Sequence, residues 1–224
     1  MSLKRVITID GPAGAGKSTV ARRVASALGY LYVDTGAMYR AMTLKVLMHG
    51  VDPADRERVA QLARETDIAL TTGPDGAPQV VLDGVDVTHR LREPGIDRAV
   101  STVAAFPEVR ERLLVVQREL ARRGGVVLEG RDTGTHVAPD ADLKLYLTAS
   151  PAERARRRYR ELVAAGHQVT LEQVERELRR RDEQDMTRSA APLQRAPDAI
   201  EVDTTGRSID AVVAEILRYC REDD

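Results

Sequence analysis

The sequence predicts an α/β fold, a parallel sheet flanked by helices, with a small antiparallel β insert. Three observations lead there. A β-branched apolar run at residues 4–10, Lys-Arg-Val-Ile-Thr-Ile-Asp, ends in Gly11-Pro12 and opens onto a stretch with helical periodicity. Short apolar runs and helical patterns then alternate to the end of the chain, as parallel strands joined by helical crossovers do. One segment, residues 67–88, breaks that rhythm with two alternating runs split by Gly73-Pro74-Asp75-Gly76, a hairpin pattern.

In chain order, Val20, Ala21, Val24, Ala25 and Leu28 recur at helical spacing after Ser18, and Gly29 is placed to end that helix. A second strand, 30–33, leads into Asp34-Thr35-Gly36 and a helix over 37–49; another helical stretch ends near Thr66, just before the insert. Helices follow at 93–104 and 107–122, and Gly124-Gly125 precede the strand Val126-Val127-Leu128. The strand 143–147 runs into Ser150-Pro151, where Ser suits an N-cap and Pro the first helical position. Helices over 151–165 and 171–187, a strand at 200–202 and a helix over 208–221 complete one domain spanning 1–224, without internal repeats or low-complexity linkers.

Composition narrows the function classes. The 34 basic and 35 acidic side chains nearly cancel, so no global field would hold the chain on nucleic acid or an anionic membrane. No stretch approaches the roughly 18 apolar residues of a membrane span, and the N-terminus lacks signal-peptide flanks, so a cytoplasmic location is expected. Cys220, expected half-buried in the last helix, is the one cysteine and excludes an intramolecular disulfide. His49, His89, His136 and His167 show no metal-ligand spacing.

The residues Gly11-Pro12-Ala13-Gly14-Ala15-Gly16-Lys17-Ser18 fit the phosphate-binding loop, Gly, any four residues, then Gly-Lys-Ser/Thr. Small residues let successive backbone N–H groups wrap a polyphosphate, and the following helix adds the positive end of its dipole. Lys17 would serve the β- and γ-phosphates, the Ser18 hydroxyl would ligate Mg²⁺, and Thr19 completes the nucleotide-binding stretch. Switch-type GTPases read guanine through Asn-Lys-x-Asp, and this chain has no Asn, so an ATP-using transferase is the better reading.

A kinase for a small phosphorylated acceptor needs a second anion site built from Arg forks. Three segments supply them: Asp34-Thr35-Gly36-Ala37-Met38-Tyr39-Arg40, Ser101 through Arg110, and Gly130-Arg131-Asp132-Thr133-Gly134-Thr135. With Arg181-Asp182, Asp185, Arg188 and Ala191-Pro192-Leu193, these segments resemble the motifs of bacterial-type cytidylate kinases, in order over essentially the whole chain. The resemblance implies a nucleoside monophosphate kinase fold on a five-stranded parallel sheet, with an Arg-rich helical lid at 151–170 and a β insert at 67–92 in the CMP-binding region. It implies transfer of the γ-phosphate of ATP to CMP or dCMP with Mg²⁺, by a monomer.

Thr35, Arg40, Ser101, Arg110, Arg131, Asp132, Arg181, Asp185 and Arg188 would then line the CMP pocket. Arg40, Arg110 and Arg131 would grip its phosphate; Ser101, Arg110 and Asp132 would serve the pyrimidine edge, and Asp185 the sugar hydroxyls. Lys17, Arg131, Asp132, Arg157 and Arg188 would act in the transfer, Arg157 from the lid over ATP. Closure of the lid and the CMP-binding region would exclude water and suppress ATP hydrolysis.

Spacing alone leaves alternatives open. Arg181, Asp185 and Arg188 at i, i+4 and i+7 fit one site-lining helix face or an ordinary solvated one. Arg154, Arg157 and Arg158 fit a lid face or solvent. Asp34 would order a Mg²⁺-bound water or cap the next helix. Two other functions stay in play: a kinase of the same fold for UMP, AMP or shikimate, and a nucleotide-binding regulatory module whose slow hydrolysis ignores any acceptor.

Overall fold

The computed structural model describes residues 5–72 and 78–222; Lys4 and the turn expected at 73–76 lie outside the described residues. Strand β1 (Val6–Asp10) is the middle of a five-stranded sheet ordered β2-β6-β1-β7-β8. The other strands are β2 (Leu31–Asp34), β6 (Val126–Glu129), β7 (Leu143–Thr148) and β8 (Ile200–Asp203). β1 pairs in parallel with β6, Ile9 opposite Glu129, and with β7, Asp10 opposite Tyr146. The connection after β1 runs to β2 beyond β6, whereas the one after β6 crosses to β7 on the other side. Ligands of open α/β sheets bind at such a switch point, outside the carboxyl ends of the strands.

The chain forms two compact units. The first comprises residues up to Tyr32, Gly124–Thr187 and the chain from Ala191; the second comprises Val33–Arg123 with Arg188–Ala190. In the first, Ile7, Ile9, Val127, Leu145, Leu147 and Val202 of the sheet are buried with Val20 and Val24 of helix α1 (Lys17–Leu28) and Val212 and Ile216 of the C-terminal helix (Ile209–Glu222). Cys220 belongs to this cluster and is buried rather than half-buried, because its face of the C-terminal helix is the one turned to the core.

The second unit is built around α2 (Thr35–Met48), which is buried along most of its length, as a helix apolar on more than one side must be. Around it lie α3 (Arg56–Glu65), α4 (Pro94–Val103) and α5 (Pro107–Arg122). The insert is antiparallel as expected but has three strands, β3 (Ile68–Thr72), β4 (Pro78–Leu82) and the two-residue β5 (Val85–Asp86). Asp83 and Gly84, both at positive φ (49° and 83°), make the two-residue turn into β5 that matches strand twist. Asp83 is held there by its carboxylate, which accepts from Asp67 N at 2.9 Å and Lys45 Nζ at 2.7 Å. Ile68, Val80 and Leu82 share one buried cluster with Met38, Met42 and Leu44, so the insert is part of this unit's core.

Back in the first unit, α6 (Pro151–Ala164) opens on Ser150, whose hydroxyl accepts from Glu153 N at 3.3 Å, as the N-cap reading requires. The next helix, α7, spans Leu171–Thr187 and α8 is the C-terminal helix. Arg188 lies beyond the end of α7 and so cannot share a helical face with Arg181 and Asp185. The chain leaves helical geometry before Ala191, at φ 48°, and Pro192, neither of which continues a helix.

Candidate active site

The loop after β1 is shaped by glycines at positions where a side chain would clash or strain the backbone. A Cβ on Gly11, at φ 145°, would lie 1.9 Å from the Leu147 carbonyl oxygen of β7. Gly14 and Gly16 take φ 77° and 85°, and a Cβ on Gly14 would meet Arg154 at 3.1 Å. Gly16 is the N-cap of α1, so the helix's unsatisfied N–H groups begin at Lys17. Lys17 is buried and donates its ammonium to the Pro12 carbonyl at 2.8 Å. Burial, then the charge of Arg131, lowers its pKa to about 7 against the opposing pull of Glu129, Asp10 and Asp185.

Ser18 Oγ donates to Glu129 Oε1 at 2.9 Å, and Tyr32 Oη donates to Glu129 Oε2 at 2.7 Å. Sequence reasoning missed Glu129. The available signal was an acidic residue closing the strand next to β1, directly before Gly130-Arg131-Asp132. A loop of this shape, with a hydroxyl and a carboxylate behind it, fits a polyphosphate carrying a hard divalent cation.

The three arginines expected on one face of α6 have separate tasks. Arg154 is buried, donating to Ala149 O at 3.2 Å, Ala13 O at 3.0 Å and Asp182 Oδ2 at 2.5 Å. Asp182 Oδ1 in turn accepts from Ala13 N at 3.4 Å, so α6 and α7 clamp the loop backbone. Arg158 pairs with Glu161. Arg157 is tied to Glu153 and to Thr204, whose hydroxyl lies 3.1 Å from Ala15 O, and its Nη1 lies 3.6 Å from where a Gly16 Cβ would be. Arg154 is thus spent on holding the loop from within, whereas Arg157 stands beside Gly16 with its side chain 23% exposed.

Arg131 and Asp132 also belong to the first unit, between β6 and a π-helical turn at Thr133–Val137. Arg131 donates from Nε to Asp185 Oδ2 at 3.0 Å and from Nη1 to Gly130 O at 3.3 Å. Burial works against its charge, but Asp185, Glu129 and Asp182 outweigh that and raise its pKa. Arg181 and Asp185, one turn apart on α7, are both buried. Asp10 accepts from Thr133 and Gly134, and burial pushes its carboxyl up to about 6 despite those bonds.

The remaining expected residues lie in the second unit. Thr35 opens α2, capped by Asp34, which accepts from Ala37 N at 2.9 Å; the capping reading of Asp34 is the one observed. Arg40 Nε stands 3.6 Å from Asp97 Oδ1. Arg110 lies over the Tyr39 ring at 5.2 Å and donates to Ala104 O at 3.1 Å. Ser101 is buried on α4, and Arg188 falls in the short stretch 188–190.

Comparison with known proteins matches these features to a family. The family model described as cytidylate kinase matches residues 7–222. A cytidylate kinase of Symbiobacterium thermophilum is 55% identical over 216 residues, 96% of each chain. One of Geobacillus kaustophilus is 51% identical over 217 residues, again 96% of each. Among solved structures, an uncharacterised protein of Eubacterium ventriosum aligns with TM-score 0.54 at 11% identity, over 96% of this chain and 98% of that one. Shikimate kinase of Acinetobacter baumannii, solved with shikimate, aligns with TM-score 0.50 at 20% identity over 99% and 95% of the two chains, a likeness of fold alone. A phosphate loop rooted in a central parallel strand, on a chain matched from Ile7 to Glu222, leads to one conclusion: the protein belongs to the cytidylate kinase family.

Proposed function

We propose that the protein transfers the γ-phosphate of ATP to CMP or dCMP, giving CDP or dCDP. The observation that most supports this is the family match over residues 7–222, on a chain whose central strand opens into the phosphate loop. The loop backbone and Lys17 would cradle the β- and γ-phosphates. Ser18 would ligate Mg²⁺ through its hydroxyl, held by Glu129, and the cation would neutralise charge building on the phosphate oxygens. Arg157 would meet the nucleotide from the lid, a reading its closeness to Gly16 supports.

On the acceptor side, Arg40, Arg110 and Arg131 are proposed to grip the CMP phosphate, and Ser101, Arg110 and Asp132 to read the pyrimidine. Asp185 would take the sugar hydroxyls; Thr35, Arg181 and Arg188 complete the lining. The Arg131–Asp185 pair supports this reading because it keeps a bidentate donor and a sugar acceptor oriented in advance. The acceptor phosphate is already ionised at neutral pH, so in-line attack needs no general base. Among the described residues no helix is long and apolar enough to cross a membrane; a cytoplasmic monomer is the setting we expect.

ADP production from Mg²⁺-ATP, measured with CMP, dCMP, UMP, AMP, GMP, shikimate or no acceptor, tests the proposal. Turnover confined to CMP and dCMP, with UMP much weaker, is expected. Preference for another acceptor would replace the substrate, and hydrolysis indifferent to every acceptor would replace the reaction.

A further inference from the structure

Asp10 ends β1 directly before Gly11, yet the carboxylate is filled by a segment more than a hundred residues away. Oδ1 accepts from Thr133 N at 2.9 Å and Thr133 Oγ1 at 2.8 Å, and Oδ2 accepts from Gly134 N at 2.8 Å. The group is buried, and none of the phosphate, metal or acceptor contacts proposed above falls to it. A buried carboxylate disfavoured by desolvation calls for a compensating role.

The segment it holds is unusual. Bonds from Val137 N to Asp132 O (3.4 Å) and from Ala138 N to Thr133 O (2.8 Å) close a π-helical turn, a rare geometry that is frequent at functional sites. Arg131 and Asp132 lead directly into it. Gly134 is pressed against β1, since a Cβ there would lie 2.9 Å from Thr8 Oγ1 and 3.4 Å from Asp10 Oδ2. Thr8 Oγ1 is itself buried without a hydrogen-bond partner among the described residues, so its tight fit serves no bond of its own.

We infer that Asp10 is a positioning residue for the acceptor: by clamping Thr133 and Gly134 it fixes the turn from which Arg131 and Asp132 project. This rests on the acceptor reading of Arg131 and Asp132 given above. Asp10 does not touch CMP; it acts through the turn, and it ties acceptor grip to the strand that roots the phosphate loop.

Steady-state kinetics with ATP and CMP varied separately, on variants whose fold is checked by circular dichroism, test the inference. Asp10→Asn turns an amide N–H₂ toward one of the N–H donors. Gly134→Ala displaces the turn without changing charge. Both are expected to raise KM for CMP by about tenfold or more while KM for ATP stays within about twofold. Thr8→Ala makes room for the added methyl, so Thr8→Ala/Gly134→Ala is expected to regain most of the CMP affinity, and Thr8→Ala alone to resemble the wild type. If Asp10→Asn does not fold, Gly134→Ala and its rescue decide. Unchanged KM for CMP, equal losses for ATP and CMP, or no rescue would overturn the inference. Should the wild type prefer another acceptor, the substrate reading fails, while the same KM split measured on that acceptor still judges Asp10.

Discussion

Lys17 shows how a single residue can report on the nucleotide. Its ammonium is buried against the Pro12 carbonyl, with a pKa lowered to about 7 by burial and by Arg131. A triphosphate brings negative charge beside it, which raises that pKa, so binding must take up a proton wherever the free enzyme has lost one. Calorimetry of Mg²⁺-ATP binding in buffers of different ionisation enthalpy should show uptake close to one proton at pH 8, shrinking toward zero at pH 6. Lys17→Met should abolish the buffer dependence; a buffer-independent heat at pH 8 in the wild type would contradict it. At Glu129 the expectation concerns the metal. Glu129→Gln keeps an oxygen for Ser18 but removes the negative charge, so the Mg²⁺ concentration for half-maximal activity should rise by about tenfold. An unchanged Mg²⁺ dependence would mean the carboxylate only orients Ser18 and Tyr32.

Helices α6 and α7 act on the loop as a pair, because the buried Arg154–Asp182 bridge meets the backbone of Ala13 from both sides. Removing one partner leaves an uncompensated buried charge. Asp182→Ala is therefore expected to lower stability by about 3–5 kcal/mol and raise KM for ATP, whereas Arg156→Ala, at a more exposed pair within α6, should stay within about 1 kcal/mol. Chemical denaturation of the two variants checks this; equal midpoints would reduce the bridge to a surface contact. Elements of this kind mark where the sequence is readable. The loop, the strands and the helix starts at Ser150 and Asp34 follow from neighbours within a few residues, so period and capping chemistry reveal them. The clamps do not: Asp182 reaches Ala13 across 169 positions, Asp10 reaches Thr133 across 123, and Ser18 reaches Glu129 across 111. Helical spacing put Arg154 and Arg157 together; packing buried the first and left the second beside Gly16. The insert likewise reads as a hairpin because β5 is only two residues long, too short for a periodic signal.

At the scale of the whole molecule, the buried charges around the loop make stability depend on pH in an unusual sense. Asp10 has a folded pKa of about 6, above its ordinary 3.8, because burial disfavours the anion; the folded state holds the extra proton between those values, so stability falls as pH rises from about 4 to 6. Lys17 has a folded pKa of about 7, below its ordinary 10.5, so the unfolded chain holds the extra proton between them and stability rises with pH across that span. From about pH 6 to 7 both groups are charged in the fold, each against the cost of its burial. Carboxylates such as Glu93, held low by Arg90, act the opposite way, losing their contribution only as pH falls through the acid range. The alkaline limb therefore isolates Lys17. Urea unfolding from pH 6.5 to 9.5 should show the wild type gaining on Lys17→Met by up to about 1.4 kcal/mol per pH unit. Saturating Mg²⁺-ATP should flatten that gain, because nucleotide keeps Lys17 protonated. Parallel curves for the two proteins without nucleotide would mean that Lys17 remains charged throughout and that the free loop already compensates its burial.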